Sequence, residues 1–169
     1  MSAVKPTDRV KQIEYAIRDV IPYAKQVEMT GKKIYYLNIG DPNAFDFDTP
    51  PHIKEALIKA VQSGGKGNAY SASEGLAELR EAISRKEKRL NNVDVPEKDV
   101  IVTSGISEGI EMILAALLNP GDEILLPGPT YPPYLSYAKF FGANPVTYET
   151  IEEDGWQPNI EALRRKITH

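Results

Sequence analysis

The amino-acid sequence predicts an α/β fold built on a parallel-rich sheet with flanking helices. Three observations carry that reading. Short, nearly continuous apolar runs recur along the second half of the chain, at Val100-Ile101-Val102-Thr103, Glu123-Ile124-Leu125-Leu126 and Asn144 to Tyr148. Between them lie segments whose apolar residues fall three or four apart, the spacing of one face of a helix. Breaker clusters such as Asn119-Pro120-Gly121 and the proline-rich stretch from Pro127 to Pro133 punctuate the two kinds of segment. Strands that are apolar on both faces and alternate with helices are the pattern of βαβ units.

Taken in order, the first element is a helix from Asp8 to about Met29, with Val10, Ile13, Ile17, Val20, Ala24 and Val27 on one side. Pro22 should bend or split it, because proline has no N–H to give the helix ladder. Ile34-Tyr35-Tyr36-Leu37-Asn38-Ile39 reads as a strand that runs into the breakers Gly40-Asp41-Pro42. Pro50 and Pro51 open a helix with the stripe Ile53, Ala56, Leu57, Ala60 and Val61, stopped by Ser63-Gly64-Gly65. A polar, glycine-rich stretch from Gly64 to Gly75 carries one tyrosine, Tyr70, and leads into a helix through Leu76, Leu79, Ile83 and Leu90. The strand at Val100–Thr103 then feeds a helix with Ile106, Ile110, Ile113, Leu114, Leu117 and Leu118. After the second strand a helix over Leu135 to Phe141 is expected, and after the third a final helix through Ile160, Leu163 and Ile167, opened by Pro158-Asn159. A doubly wound unit that stops after a helix lacks the strand that helix was crossing to reach, so the segment is expected to be a fragment.

Composition narrows the function. A content of 41% hydrophobic and 26% charged residues is that of a globular chain. Net charge is −4 and the densest basic stretch, Arg85 to Arg89, is interrupted by Glu87, which disfavours nucleic acid. Without cysteine there is no disulfide framework, thiolate metal site or cysteine nucleophile. The longest apolar run, Ile113 to Leu118, is far too short to span a bilayer, and Asp8, Arg9 and Lys11 occupy the place of a signal-peptide core. A soluble, cytoplasmic protein without a membrane partner is the expectation. His52 and His169 are too few and too ill-placed for a metal centre or a hydrolase triad, and Glu152-Glu153 reads as a solvated turn.

Chemistry concentrates at two strand-to-helix junctions. In Thr103-Ser104-Gly105-Ile106-Ser107-Glu108-Gly109 the unpaired amides and positive dipole end of a helix follow a buried strand, which suits a phosphate, and Ser107 adds a hydroxyl. Plain capping by Ser104 and Ser107 with a turn at Gly105 explains the same residues equally well. Nucleotide motifs fail on spacing: neither G-x-G-x-x-G nor G-x-x-x-x-G-K-[ST] occurs. At the second junction, Pro127-Gly128-Pro129-Thr130-Tyr131-Pro132-Pro133-Tyr134, an aromatic ring is expected on the same rim as Ser107, where it could stack on a planar heteroaromatic ligand. A stiff surface turn with Tyr131 packed against it is the simpler account of that segment by itself.

The order of these segments resembles the first part of class I/II pyridoxal-phosphate-dependent aminotransferases, most closely the alanine-type branch. The residues that carry the resemblance are Leu37-Asn38-Ile39-Gly40-Asp41-Pro42, Tyr70 with Gly75-Leu76 and Leu79-Arg80, Thr103-Ser104-Gly105 with Ser107-Glu108, Pro120-Gly121-Asp122, and Pro129-Thr130-Tyr131. They span nearly the whole chain in one order. The resemblance implies the N-terminal segment of the fold-type I large domain, with residues 1–48 as an N-terminal arm and substrate-side segment and 49–169 as the first part of the cofactor-binding domain. It implies pyridoxal phosphate as cofactor, with Gly105, Ile106 and Ser107 on its phosphate and Tyr131 stacked on its pyridine ring. Tyr70 would reach the phosphate of the neighbouring subunit of a homodimer, and Gly40 would lie beside the substrate carboxylate.

The same resemblance implies what these residues do not supply. The family's Schiff-base lysine, the acid that keeps the pyridine nitrogen protonated and the arginines for the substrate carboxylate belong to later parts of the fold. No lysine here has the family's serine-rich context, and Lys139 reads as a solvated helix position, so the chain alone is expected to be inactive. The parent reaction implied is amino-group transfer between an amino acid and a 2-oxo acid. A pyridoxal-phosphate lyase on the same scaffold and a non-catalytic dimerising or ligand-binding fragment are the alternatives.

Overall fold

The computed structural model describes residues 4–11, 13 and 16–168, apart from the side chain of Lys66. Gln12, Glu14 and Tyr15, within the expected first helix, and His169 lie outside the described residues. The chain divides into two compact units, one made of Met1–Ile39 with Gly105–His169 and the other of Gly40–Ser104.

In the first unit the N-terminal helical segment is in pieces: α1 (Asp8–Lys11), α2 (Ala16–Asp19) and α3 (Ile21–Glu28). Pro22 sits in the first turn of α3, where its missing N–H costs nothing, so it starts a helix rather than bending one. The expected strand at Ile34–Ile39 is irregular backbone with a bend at Asn38 and pairs with no strand among the described residues. Side chains hold it instead. Asn38 Nδ2 donates to the carbonyl of Ile17 at 2.6 Å. The Tyr36 phenol is pushed above its ordinary pKa, chiefly by desolvation and then by its hydrogen bond to the Glu28 carboxylate and that group's charge.

The rest of this unit follows the expected alternation. α6 (Gly105–Leu117) leads to β1 (Glu123–Gly128), α7 (Pro132–Phe140), β2 (Asn144–Ile151), the two-residue β3 (Gln157–Pro158) and α8 (Ile160–Lys166). β1 and β2 are parallel, in register from Glu123 opposite Asn144 to Gly128 opposite Glu149. β2 then pairs antiparallel with β3 after a tight turn at Glu152–Asp154, the expected exposed acidic turn. α7 packs on both α6 and β2, and α8 packs on β2. Ile110 and Leu114 of α6, Leu126 of β1, Ala138 of α7 and Ala162 of α8 are the buried apolar centre. α8 is capped by Asn159, whose Oδ1 accepts from Ala162 N at 3.0 Å. Its far end is tied back to the start of β1 by Thr168 Oγ1 donating to Glu123 Oε2 at 2.6 Å.

The second unit holds α4 (Pro51–Gln62), a 3-10 turn at Gly65–Asn68, α5 (Ala77–Asn91) and a 3-10 turn at Glu97–Asp99. The expected strand Val100–Thr103 starts extended at Val100 and likewise has no strand partner among the described residues. Val102 N donates to Glu74 O at 2.9 Å. Arg80 organises this unit. Its guanidinium, 13% exposed, donates to the carbonyls of Glu97 at 2.9 Å and Gly75 at 3.3 Å and lies 3.6 Å from the Glu74 carboxylate. Those bonds hold the loop before α5 and the turn after it to one side chain.

Gly75, with φ +101, lies under the same clamp, and a Cβ added there would sit 2.7 Å from Val102 Cβ and Cγ2. Gly75→Ala therefore meets both a disallowed backbone and a branched side chain. A loss of at least about 2 kcal/mol is expected, from about 1–3 kcal/mol for the backbone and about 1–3 kcal/mol for the overlap. Denaturant unfolding checks this, and a loss below about 0.5 kcal/mol would contradict the packing of Gly75 on Val102.

Candidate functional site

The site begins where the Val100–Thr103 segment leads into α6. Gly105 opens the helix with φ +79, a conformation that favours glycine without any help from a ligand. Open space surrounds the position its Cβ would take. First-turn amides of a helix, those of Ile106 and Ser107 among them, have no carbonyl one turn earlier to bond, so they and the helix dipole face outward. Val100, at the start of the preceding segment, is buried, whereas Ile106 is 68% exposed.

The second junction closes on the first from α7. β1 ends at Gly128, the Gly128–Pro129 peptide is cis, and Tyr131 stands as the residue before α7. Thr150 Oγ1 donates to Gly128 O at 2.9 Å and so fixes the end of β1 to β2. The Tyr131 ring meets Tyr134 edge to face at 5.9 Å and Tyr131 remains 41% exposed. Ser107 and Glu111 of α6 share a cleft of about 360 Å³ with Pro133, Ser136, Tyr137 and Phe140 of α7 and with Ile13. Ser107 and Pro133 thus line one cleft, whereas Tyr131, expected on the same rim as Ser107, and Gly105 and Ile106 are not among the residues that line it. None of these lining residues is cationic and Glu111 is anionic, so the positive field available there is that of the helix terminus.

The other two predicted site residues belong to the second unit. Gly40 precedes the turn Pro42–Ala44, in which Asp41 Oδ1 accepts from Asn43 N at 3.1 Å. A Cβ on Gly40 would meet nothing within 4 Å, so neither packing nor a left-handed backbone requires glycine there. Tyr70, after the Gly65–Asn68 turn, is fully exposed.

Lys139 is half-buried on α7 rather than fully solvated as the sequence suggested. Among the described residues there is no cluster of three or more metal-ligating side chains, and no helix is long and apolar enough to cross a membrane. Arg80 and Asn38 stood within the recognised motifs without a role. Asn38 bonds the Ile17 carbonyl and Arg80 the Glu97 carbonyl, both distant in sequence, which no spacing rule announces.

Comparison with known proteins places these elements in a family. The sequence profile described as aminotransferase class I and II matches residues 32–169. Glutamate-pyruvate aminotransferase AlaA of Escherichia coli is 34% identical over 169 residues, which is 99% of this chain and 41% of that protein. The solved alanine aminotransferase from Pyrococcus furiosus superposes with a TM-score of 0.89 at 52% identity, covering 97% of this chain and 41% of the other. The aspartate aminotransferase from Thermus thermophilus with maleate gives a TM-score of 0.84 at 34% identity over 98% of this chain and 42% of that structure. The chain spans about two fifths of the length of the relatives it matches, and by profile, sequence and fold it belongs to the class I and II aminotransferases.

Proposed function

We propose that this chain is the phosphate-binding part of a pyridoxal-phosphate-dependent aminotransferase that moves an amino group between an amino acid and a 2-oxo acid. The observation that carries the proposal is the meeting of the first turn of α6 with the first turn of α7 in one cleft. An anion-holding helix start and an aromatic ring before the neighbouring helix are the two features a flat, phosphorylated cofactor needs. The first turn of α6, led by Gly105, fits the phosphate: nothing lies within 4 Å of where a Gly105 Cβ would stand, so no side chain there obstructs an oxygen. Alanine is the favoured donor, because relatives from Escherichia coli and Pyrococcus furiosus are named for glutamate-pyruvate and alanine transfer. Those names also favour transfer over the lyase alternative.

In this reading the Ile106 and Ser107 amides and the Ser107 hydroxyl hold the phosphate. The ring of Tyr131 lies against the pyridine and fixes its plane. Gly40 lets the backbone approach the substrate carboxylate, which accounts for a glycine that packing does not require. Pyridoxal phosphate, when bound, supplies the electron sink that stabilises negative charge at the amino acid's α-carbon. We assign no lysine of this chain to the covalent link with that cofactor and therefore no transaminase activity to these 169 residues alone. Residues 1–48 act as the arm and substrate side, and 49–169 as the start of the cofactor domain.

A homodimer completes the site. Tyr70 serves the neighbouring subunit's phosphate, which gives a fully exposed aromatic a reason to be there. Exposed apolar side chains on α4, at Leu57 and Val61, likewise call for a covering surface. A cytoplasmic location agrees with this small-molecule chemistry.

Two outcomes test the reading. In the native protein Ser107→Ala should weaken pyridoxal phosphate by about 1.5–3 kcal/mol, roughly tenfold to hundredfold in Kd, with the fold unchanged. An unchanged Kd in the folded variant would leave Ser107 a helix cap. For the shared site, Tyr70→Ala and Ser107→Ala chains are mixed and allowed to exchange subunits. One of the two sites in each mixed dimer then has both groups intact, so half of its sites should regain tight cofactor binding. No tight sites despite proven exchange would remove Tyr70 from the cofactor.

A further inference from the structure

The cleft beside Ser107 is not formed by α6 and α7 alone, because Ile13 lines it as well. Four residues earlier, the guanidinium of Arg9 in α1 lies 5.6 Å from the centre of the Phe140 ring, at the last turn of α7. Phe140 is itself held edge to face by Phe141 at 5.3 Å, so the ring presents a fixed face to the cation. α1 packs on α7. A four-residue helix with no buried residue cannot nucleate or persist unaided, so its order must come from what it touches. The Asp8–Lys11 ion pair at 2.6 Å is exposed on both sides and adds little. Downstream the same segment is pinned again, by Asn38 Nδ2 on the carbonyl of Ile17.

From these contacts we propose that Asp8–Lys11, Ile13 and Ile17 act as a strap, anchored at Arg9 and Ile17, with Ile13 set in the groove between α6 and α7. The strap sets how α7 sits against the first turns of α6, and Arg9, Ile13 and Asn38 are positioning residues for Ser107. It rests on the reading of Ser107 as a phosphate ligand only for its effect on the cofactor; the mechanical claim stands on the contacts themselves. Two anchors and a wedge explain why an apolar residue, 40% exposed, is placed beside a serine and a glutamate. They also explain why a cation is placed over Phe140, at the last turn of α7, where the ring lines the same cleft.

Hydrogen exchange of the native protein tests the strap directly. In Arg9→Ala/Ile13→Ala, amides in the first two turns of α6 and along α7 should exchange at least fivefold faster. Those of α5, in the other compact unit, should keep their rates. Arg9→Lys keeps a cation for the ring and should stay near the native rates. Unchanged exchange in α6, or equal acceleration in α5, would overturn the strap. Pyridoxal phosphate affinity is measured beside it on the same variants and on Ser107→Ala. A threefold or greater rise in Kd for the double variant is expected. Loosened helices with native affinity, where Ser107→Ala does weaken binding, would overturn the positioning role. Native affinity in both variants would instead count against Ser107 as a ligand, and exchange alone would judge the strap.

Discussion

Parallel pairing of β1 with β2 is the constraint on which the site depends. The six matched positions from Glu123–Asn144 to Gly128–Glu149 decide which way Leu126 points and where the chain leaves the sheet at Pro129. A slip of one residue would turn Leu126 outward and move Tyr131 to the other side of its loop. Thr150, bonded to the Gly128 carbonyl, resists that slip at the critical end. From the exit point α7 follows, its Ala138 with no exposed surface, and against α7 lies α6 with its open first turn. A helix terminus can serve an anion only if something else fixes where it points, and here the sheet does so through α7.

Much of this was legible in the sequence. Stripes at three and four residues located α4 through α8, and proline, asparagine and glycine marked their ends, because helices are local structures whose signals lie within one turn. β1 and β2 were legible for a different reason: each is apolar on both faces and is followed by breakers. Ile34–Ile39 and Val100–Thr103 carry the same β-prone residues but pair with no strand among the described residues. Strand propensity belongs to the residue, whereas a strand needs a neighbour. The first helix was overextended because its stripe runs through a segment that is α1, α2 and α3 in the structure. Ordering there depends on contacts with α7 and Asn38 that sequence spacing does not encode.

At the site, the junction at Gly105–Ser107 was visible from elementary chemistry, since a buried run that turns into a helix through Ser-Gly presents amides in one place. Tyr131 was visible at the second junction but favoured as a ligand contact only through the family's order of segments, and Tyr70 was visible only through that order. Structure separates the two cases further. Gly105 is explained by its own backbone, while among the described residues nothing crowds a Gly40 side chain and Tyr70 is fully exposed. Residues whose identity the surrounding fold does not require are the ones for which a ligand or a second subunit must answer. Arg80 makes the opposite point: it sits inside a family motif, yet every contact it makes is a structural bond to its own unit.

The central claim, that the first turn of α6 receives the cofactor phosphate, is tested most directly by amide chemical shifts. Nitrogen-15-labelled protein is titrated with pyridoxal phosphate, and the backbone N–H resonances are followed. A phosphate at the helix start should move Gly105, Ile106 and Ser107 more than any other amide. It should do so with one saturating binding curve shared with Tyr131. Shifts that leave these three amides in place while others saturate would contradict the account.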